Sequence, residues 1–132
     1  MLIRVDPLRE EPIFEQIAFA VKGAVARGEL VAGDRLPSVR ELAKMVAVNP
    51  NTVVKAFDSL ESDGVIVRRQ GTGCFVSPKA SALSDTERTG RLNTLAERTV
   101  TEAFHLGFTA ADIRDAIGRA LKEVRFRSGD KK

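Results

Sequence analysis

Histidine and cysteine are almost absent from the chain, with one of each among 132 residues. That scarcity excludes several chemistries. A zinc centre has almost no ligands to draw on, and a Ser/His/Asp arrangement would have to be built around His105 alone. The sequence therefore argues against an enzyme and implies no metal and no cofactor. Cys74 has no partner for an internal disulfide, which fits a reducing, cytoplasmic setting. His105 reads as helix surface or interface, and Cys74 as a small hydrophobe rather than a redox switch. Long apolar runs are missing too. No stretch approaches a membrane span, and the opening MLIRVDPLREE has early charges in place of the apolar core of a secretory signal.

What is present is enough for a packed core, with 43% of residues hydrophobic. Net charge is +3, a weak pointer to a polyanionic partner, and its distribution says more. Residues 1–76 hold ten Lys/Arg and ten Asp/Glu, while residues 77–132 hold eleven and eight. A polyanion-binding N-terminal half must therefore segregate its charge, and along the sequence it does. Asp6, Glu10, Glu11 and Glu15 stand against Arg9, whereas Arg35, Arg40, Lys44 and Lys55 stand against Glu41 alone. Arg68 and Arg69 form a second basic spot with no acid following Asp63 nearby. Such segregation is compatible with an electrostatic footprint on DNA, and also with ordinary surface charge.

The apolar spacing lays out the elements. Ile13, Ile17, Val21 and Val25 step by four, which predicts a helix over 12–27 ending at Gly28. Ser38-Val39-Arg40-Glu41 is a capping box opening a short helix to Val46. Asn49 caps a third helix with Pro50 in its first turn. Val53, Ala56, Phe57 and Leu60 form its buried face, Asn51, Lys55, Asp58 and Ser62 its exposed one, and Gly64 its end. Val65–Arg69 and Cys74–Val76 are β-prone runs around a Gln70-Gly71-Thr72-Gly73 loop, a hairpin pattern. Residues 77–84 are small, polar and Pro-containing, as in a linker. Ser84-Asp85-Thr86-Glu87 is a second capping box for a helix to about Leu106. Thr109 caps a last helix with Ile113, Ile117, Leu121 and Val124 on its seam. Residues 127–132 read as a disordered tail.

The predicted fold is mainly α: an N-terminal winged helix-turn-helix over 1–76, three helices plus a β-hairpin wing, followed by a two-helix hairpin over 85–126. In a winged helix-turn-helix the second helix packs across the third, so that the third protrudes toward the major groove of DNA. This geometry presents Asn51, Thr52 and Lys55 to base edges. Asparagine pairs bidentately with adenine, and lysine reaches guanine or phosphate. Arg40 falls where the second helix meets the backbone, and Gly71 and Gly73 let the wing tip approach the sugar-phosphate closely. Gly71-Thr72-Gly73 is no nucleotide loop, because a strand and not a helix follows.

Gly33-Asp34-Arg35-Leu36-Pro37-Ser38-Val39-Arg40-Glu41-Leu42-Ala43, then Asn51-Thr52-Val53, Leu60-Glu61-Ser62-Asp63-Gly64 and Gly71-Thr72-Gly73-Cys74-Phe75-Val76 resemble the N-terminal signature of the GntR family of bacterial regulators. The resemblance covers roughly residues 10–76. It implies that Arg35, Ser38, Arg40, Asn51, Thr52, Gly71 and Gly73 fall on DNA-contacting positions. Pro50 and Val54 stand where many members carry arginine, which moves the expected base contacts to Asn49, Asn51, Thr52 and Lys55. Arg68 and Thr72 complete the expected DNA-binding set. Asn49 to Val53 with Lys55-Ala56-Phe57, and the short helical C-terminus, look like the YtrA subfamily. Its members are usually repressors, often encoded beside transporter operons.

The helical hairpin cannot bury both its seams alone. The seams either pack back on the winged helix or pair with a second copy into a four-helix arrangement. The linker between the two parts and the commonness of two-fold dimers favour the second, with Leu92, Leu95, Ala96, Thr99, Ala103, Ile113, Ile117 and Leu121 at the interface of a homodimer. The expected partner is double-stranded operator DNA. A winged-helix module that binds another protein is the alternative, but the polar face of the third helix and the Gly-rich wing favour DNA. The hairpin is too slight for an enclosed effector pocket, so a small-molecule effector would have to use the dimer groove.

Overall fold

The protein is described here by a computed structural model covering residues 3–78 and 84–128, with side chains through Glu123. The chain forms two compact units, Met1–Ala82 and Leu83–Lys132. The first contains helices α1 (Ile13–Ala26), α2 (Val39–Val46) and α3 (Pro50–Ser62), then strands β1 (Ile66–Arg69) and β2 (Gly73–Val76). The second contains α4 (Asp85–His105) and α5 (Ala110–Ser128). This is a winged helix-turn-helix followed by two further helices.

Each N-terminal helix forms where its apolar stripe meets the others. Ile17 and Val21 of α1, Leu42 of α2, and Val53, Phe57 and Leu60 of α3 are fully buried in one cluster with Ile66 of β1. α3 sits at its centre, packing against α1, α2 and β1. Removing a side chain such as Phe57 from a core of this kind costs about 3–5 kcal/mol. The turn between α2 and α3 is three residues long because Ala47 takes the left-handed conformation, φ 57° and ψ 50°. That conformation lets the Val48 N–H close back on the Ala43 carbonyl at 3.0 Å.

β1 and β2 pair antiparallel, Ile66 opposite Val76 and Arg69 opposite Gly73. The turn closes with the Thr72 N–H donating to the Arg69 carbonyl at 3.0 Å, and Gly71 supplies the positive φ of 80° that the turn requires. Two features have no counterpart in the sequence reading. The segment Gly33–Leu36 pairs along β2: Leu36 N–H donates to Cys74 O at 2.9 Å, and Val76 N–H to Asp34 O at 2.8 Å. The residues before α1 are strapped down by Gln16, which is buried. Its amide donates to the Asp6 and Glu11 carbonyls at 2.9 Å each, and its oxygen accepts from Asp6 N–H at 2.8 Å. Ile3 joins the core beneath this strap.

In the second unit, Ser84 and Glu87 cap α4 reciprocally, as Thr109 and Asp112 cap α5. Gly107, at φ 92°, turns the chain between them. No described residue of this unit is buried. Leu92 is 64% exposed, Phe104 54% and Leu121 53%. A cleft of about 300 Å³ lies between the helices, lined by Thr99, Ala103, Phe108, Ile113 and Ile117 among others. Among the described residues no helix is long and apolar enough to cross a membrane. Of the expected linker, Ser77 is buried and donates its N–H to Val65 O at 2.9 Å, so the chain stays packed one residue past β2. Residues 79–83 and 129–132 lie outside the described residues, as does the Val124 side chain. The α5 backbone runs on through Ser128, two residues into the tail expected to start at Arg127.

Candidate nucleic-acid interface

The candidate surface is built on two helix N-termini and the wing. Ser38 caps α2 by accepting from Glu41 N–H at 3.1 Å, while the Glu41 carboxylate accepts from Ser38 N–H at 2.8 Å. Those bonds hold the Glu41 carboxyl below its ordinary range, the backbone N–H of Ser38 contributing most. Asn49 Oδ1 caps α3 by accepting from Asn51 N–H at 2.8 Å. Ser38, Val39, Arg40 and Pro50 line one open groove, so the start of α2 and the start of α3 face a common space. The positive ends of two helix dipoles and an arginine there suit an anionic phosphate.

Most of the expected DNA-binding residues are exposed. Arg35, Ser38, Arg40, Asn49, Asn51, Lys55, Arg68, Gly71, Thr72 and Gly73 are at the surface, and Thr52 is half-buried. On α3, Asn51, Val54, Lys55 and Asp58 share the exposed side. Their positions change the assignments in three places. Asn49 holds its oxygen in the cap, which leaves Asn51 as the asparagine with both amide atoms available for adenine. Lys55 Nζ stands 5.2 Å from the centre of the Phe14 ring on α1, a cation–π contact that ties its side chain back toward α1. Arg68 and Arg69 are not one basic spot. Arg68 Nη2 donates to Asp58 Oδ1 at 2.6 Å, with its Nε 3.5 Å from Glu61, so two acids eight and eleven residues behind Arg69 neutralise it. Burial works against the Arg68 charge, but Asp58 and Glu61 more than offset it.

Arg69 lies over the Phe75 ring at 5.0 Å, and Arg35 is bridged to Phe75 through the backbone. Cys74 sits opposite Arg68 in the sheet, where burial pushes its thiol up, away from the reactive thiolate.

Sequence comparison adds the decisive observation. Residues 13–76, the helices and wing just described, match the bacterial regulatory proteins of the gntR family. The chain is 32% identical over 124 residues to the HTH-type transcriptional repressor YtrA of Bacillus subtilis, covering 94% of this chain and 95% of that protein. This chain belongs to the gntR family. It is a DNA-binding transcription regulator and not an enzyme. Among solved structures it is similar to a transcriptional antiterminator from Listeria monocytogenes EGD-e. The TM-score is 0.84 at 29% identity, covering 94% of this chain and 92% of that one. The DNA-binding domain of AraR in complex with operator ORX1 matches with a TM-score of 0.51 at 28% identity, over 55% of this chain and 90% of that one. The gntR regulator described here thus has a DNA-bound neighbour over its winged-helix part.

Proposed function

We propose that the protein is a homodimeric repressor. Residues 1–76 bind an inverted-repeat operator, 77–84 serve as a linker, and 85–126 join two copies. The observation that carries this reading is a contrast within one chain. The N-terminal unit completes its own core and leaves a polar face on α3, whereas no described residue of the C-terminal unit is buried. A hairpin that leaves Leu92, Leu95, Ile117 and Leu121 uncovered is half of an interface. Half-buried Ala103 and Ile113, with Ala96 and Thr99, continue its seam. A two-fold dimer then places two α3 helices on half-sites about 10 bp apart, or a multiple of that. The repressor reading follows the name of the relative YtrA, and an operator beside transporter genes is what the resemblance to the YtrA subfamily implies.

Sedimentation of the full chain at micromolar concentration should give a dimer, and a variant ending at Pro78, which keeps the buried Ser77, a folded monomer with weak DNA affinity. Footprinting on promoters of adjacent genes should show protection with two-fold symmetry. Gel shifts should weaken steeply with salt. A monomeric full-length chain, or a single asymmetric footprint, would overturn the dimer. Absence of salt-dependent DNA binding would leave the protein-interaction module as the better account.

A further inference from the structure

We infer that the two adjacent wing arginines divide the work, Arg68 positioning the wing on α3 and Arg69 supplying the wing's phosphate contact. This rests on the DNA-binding reading above. Arg68 and Arg69 are neighbours on β1, so their side chains leave opposite faces of the strand. Arg68 faces α3. Its fork meets Asp58 at 2.6 Å and Glu61 at 3.5 Å, two acids one helical turn apart. Asp58 lies two turns beyond Asn51, on the side of α3 that carries the expected base contact. If Arg68 swung away to a phosphate, it would leave two carboxylates uncompensated beside that phosphate. Held in place, it adds a surface link between the first strand of the wing and α3, which already share the buried cluster that holds Ile66, Phe57 and Leu60.

Arg69 has the opposite surroundings. Among the described residues no carboxylate lies within ion-pair distance of it, and its guanidinium lies over the Phe75 ring at 5.0 Å. Stacking on a ring face orients a guanidinium while leaving its in-plane N–H donors open to a phosphate. Arg69 also begins the Arg69–Thr72 turn, at the tip of the wing.

The test measures two quantities on full-length variants: amide hydrogen exchange of Ile66–Arg69 and Gly73–Val76 without DNA, and the salt dependence of operator binding. Arg68→Ala should speed wing exchange and leave the slope of log K against log salt unchanged. Asp58→Asn combined with Glu61→Gln should speed wing exchange to the same extent, and adding Arg68→Ala to that pair should do nothing more. Arg68→Lys should restore protection only in part, since one ammonium cannot match the fork. Arg69→Ala should leave wing exchange unchanged and lower the slope by about 0.9, one phosphate's worth of counterion release. Arg69→Lys should restore the slope. A slope lowered by Arg68→Ala with wing protection intact, or a slope untouched by Arg69→Ala, would overturn the division. If no form of the protein bound DNA, the function would fall, while the exchange measurements would still decide the role of Arg68.

Discussion

Arg35 lies against Gly73 so closely that a Cβ on the glycine would stand 3.2 Å from the arginine Nε. Gly73 also holds φ at 121°, a conformation that L residues rarely adopt. Gly71, at the tip, has φ 80° and nothing within 4 Å of its missing Cβ. Gly73→Ala should therefore cost more stability than Gly71→Ala, roughly 1–3 kcal/mol, because φ strain combines with displacement of Arg35 from the wing. Urea denaturation of both variants checks the order. Equal losses would mean that Arg35 yields freely and that only the backbone matters.

The capping box of α2 gives the protein an acid sensitivity of known sign. Glu41 accepts hydrogen bonds from Ser38, which depress its folded-state pKa below the unfolded value. A depressed carboxyl contributes stability above its unfolded pKa and loses it as pH falls through the folded one. Glu87 with Ser84, and Asp112 with Thr109, act in the same direction. Glu41→Gln keeps an acceptor for Ser38 N–H but removes the titrating group. Urea midpoints should fall from about pH 5 downward in the parent protein and fall less in Glu41→Gln. Parallel curves would show that the cap does not couple to pH.

Ala47 is the one non-glycine among the described residues with a positive φ. Left-handed backbone costs an alanine about 1–2 kcal/mol; glycine relieves that strain but loses roughly 0.5–1 kcal/mol because its freer unfolded chain gives up more entropy on folding. Ala47→Gly should thus stabilise the protein by about 0.5–1 kcal/mol, measured by thermal or urea unfolding. Destabilisation would mean that the Ala47 methyl makes packing contacts that outweigh its strain.

The helices are legible in the sequence because their signals are local. Ser38, Asn49, Ser84 and Thr109 lie next to the N–H groups they cap, and the stripes through Ile17 and Phe57 repeat within a few residues. The described boundaries of α1 to α4 fall within a residue or so of where those signals put them. What stays hidden is made by contacts between distant positions. Gln16 reaches Asp6 ten residues away, Gly33–Leu36 pairs with β2 about forty residues on, and Arg68 meets Asp58 across a turn. No periodicity marks such contacts. The charge pattern even misleads, since Arg68 and Arg69 look equivalent until their strand faces are assigned. At the candidate interface, exposure of Asn51 and Arg40 follows directly from helix phase, whereas the cap role of Asn49 removes half of its expected base contact.

Asn51 and Arg40 should separate reading from positioning. Asn51 lies in the first turn of α3 on its exposed side, and Arg40 lies in the first turn of α2, lining the groove shared with Pro50. Base contacts carry sequence discrimination, while phosphate contacts supply affinity that salt weakens. Asn51→Ala should cost about 1–3 kcal/mol on the operator and flatten the preference at one base pair. It should change binding to random DNA little. Arg40→Ala should weaken operator and random DNA alike and lower the salt slope by about one. Binding isotherms on both DNAs at several salt concentrations provide the comparison, with circular dichroism to confirm that each variant folds. Neither substitution touches the buried cluster, so both proteins should keep the parent spectrum. If Arg40→Ala spared random DNA while Asn51→Ala hurt both equally, the two helices would have exchanged roles, and α3 would not be the element that enters the major groove.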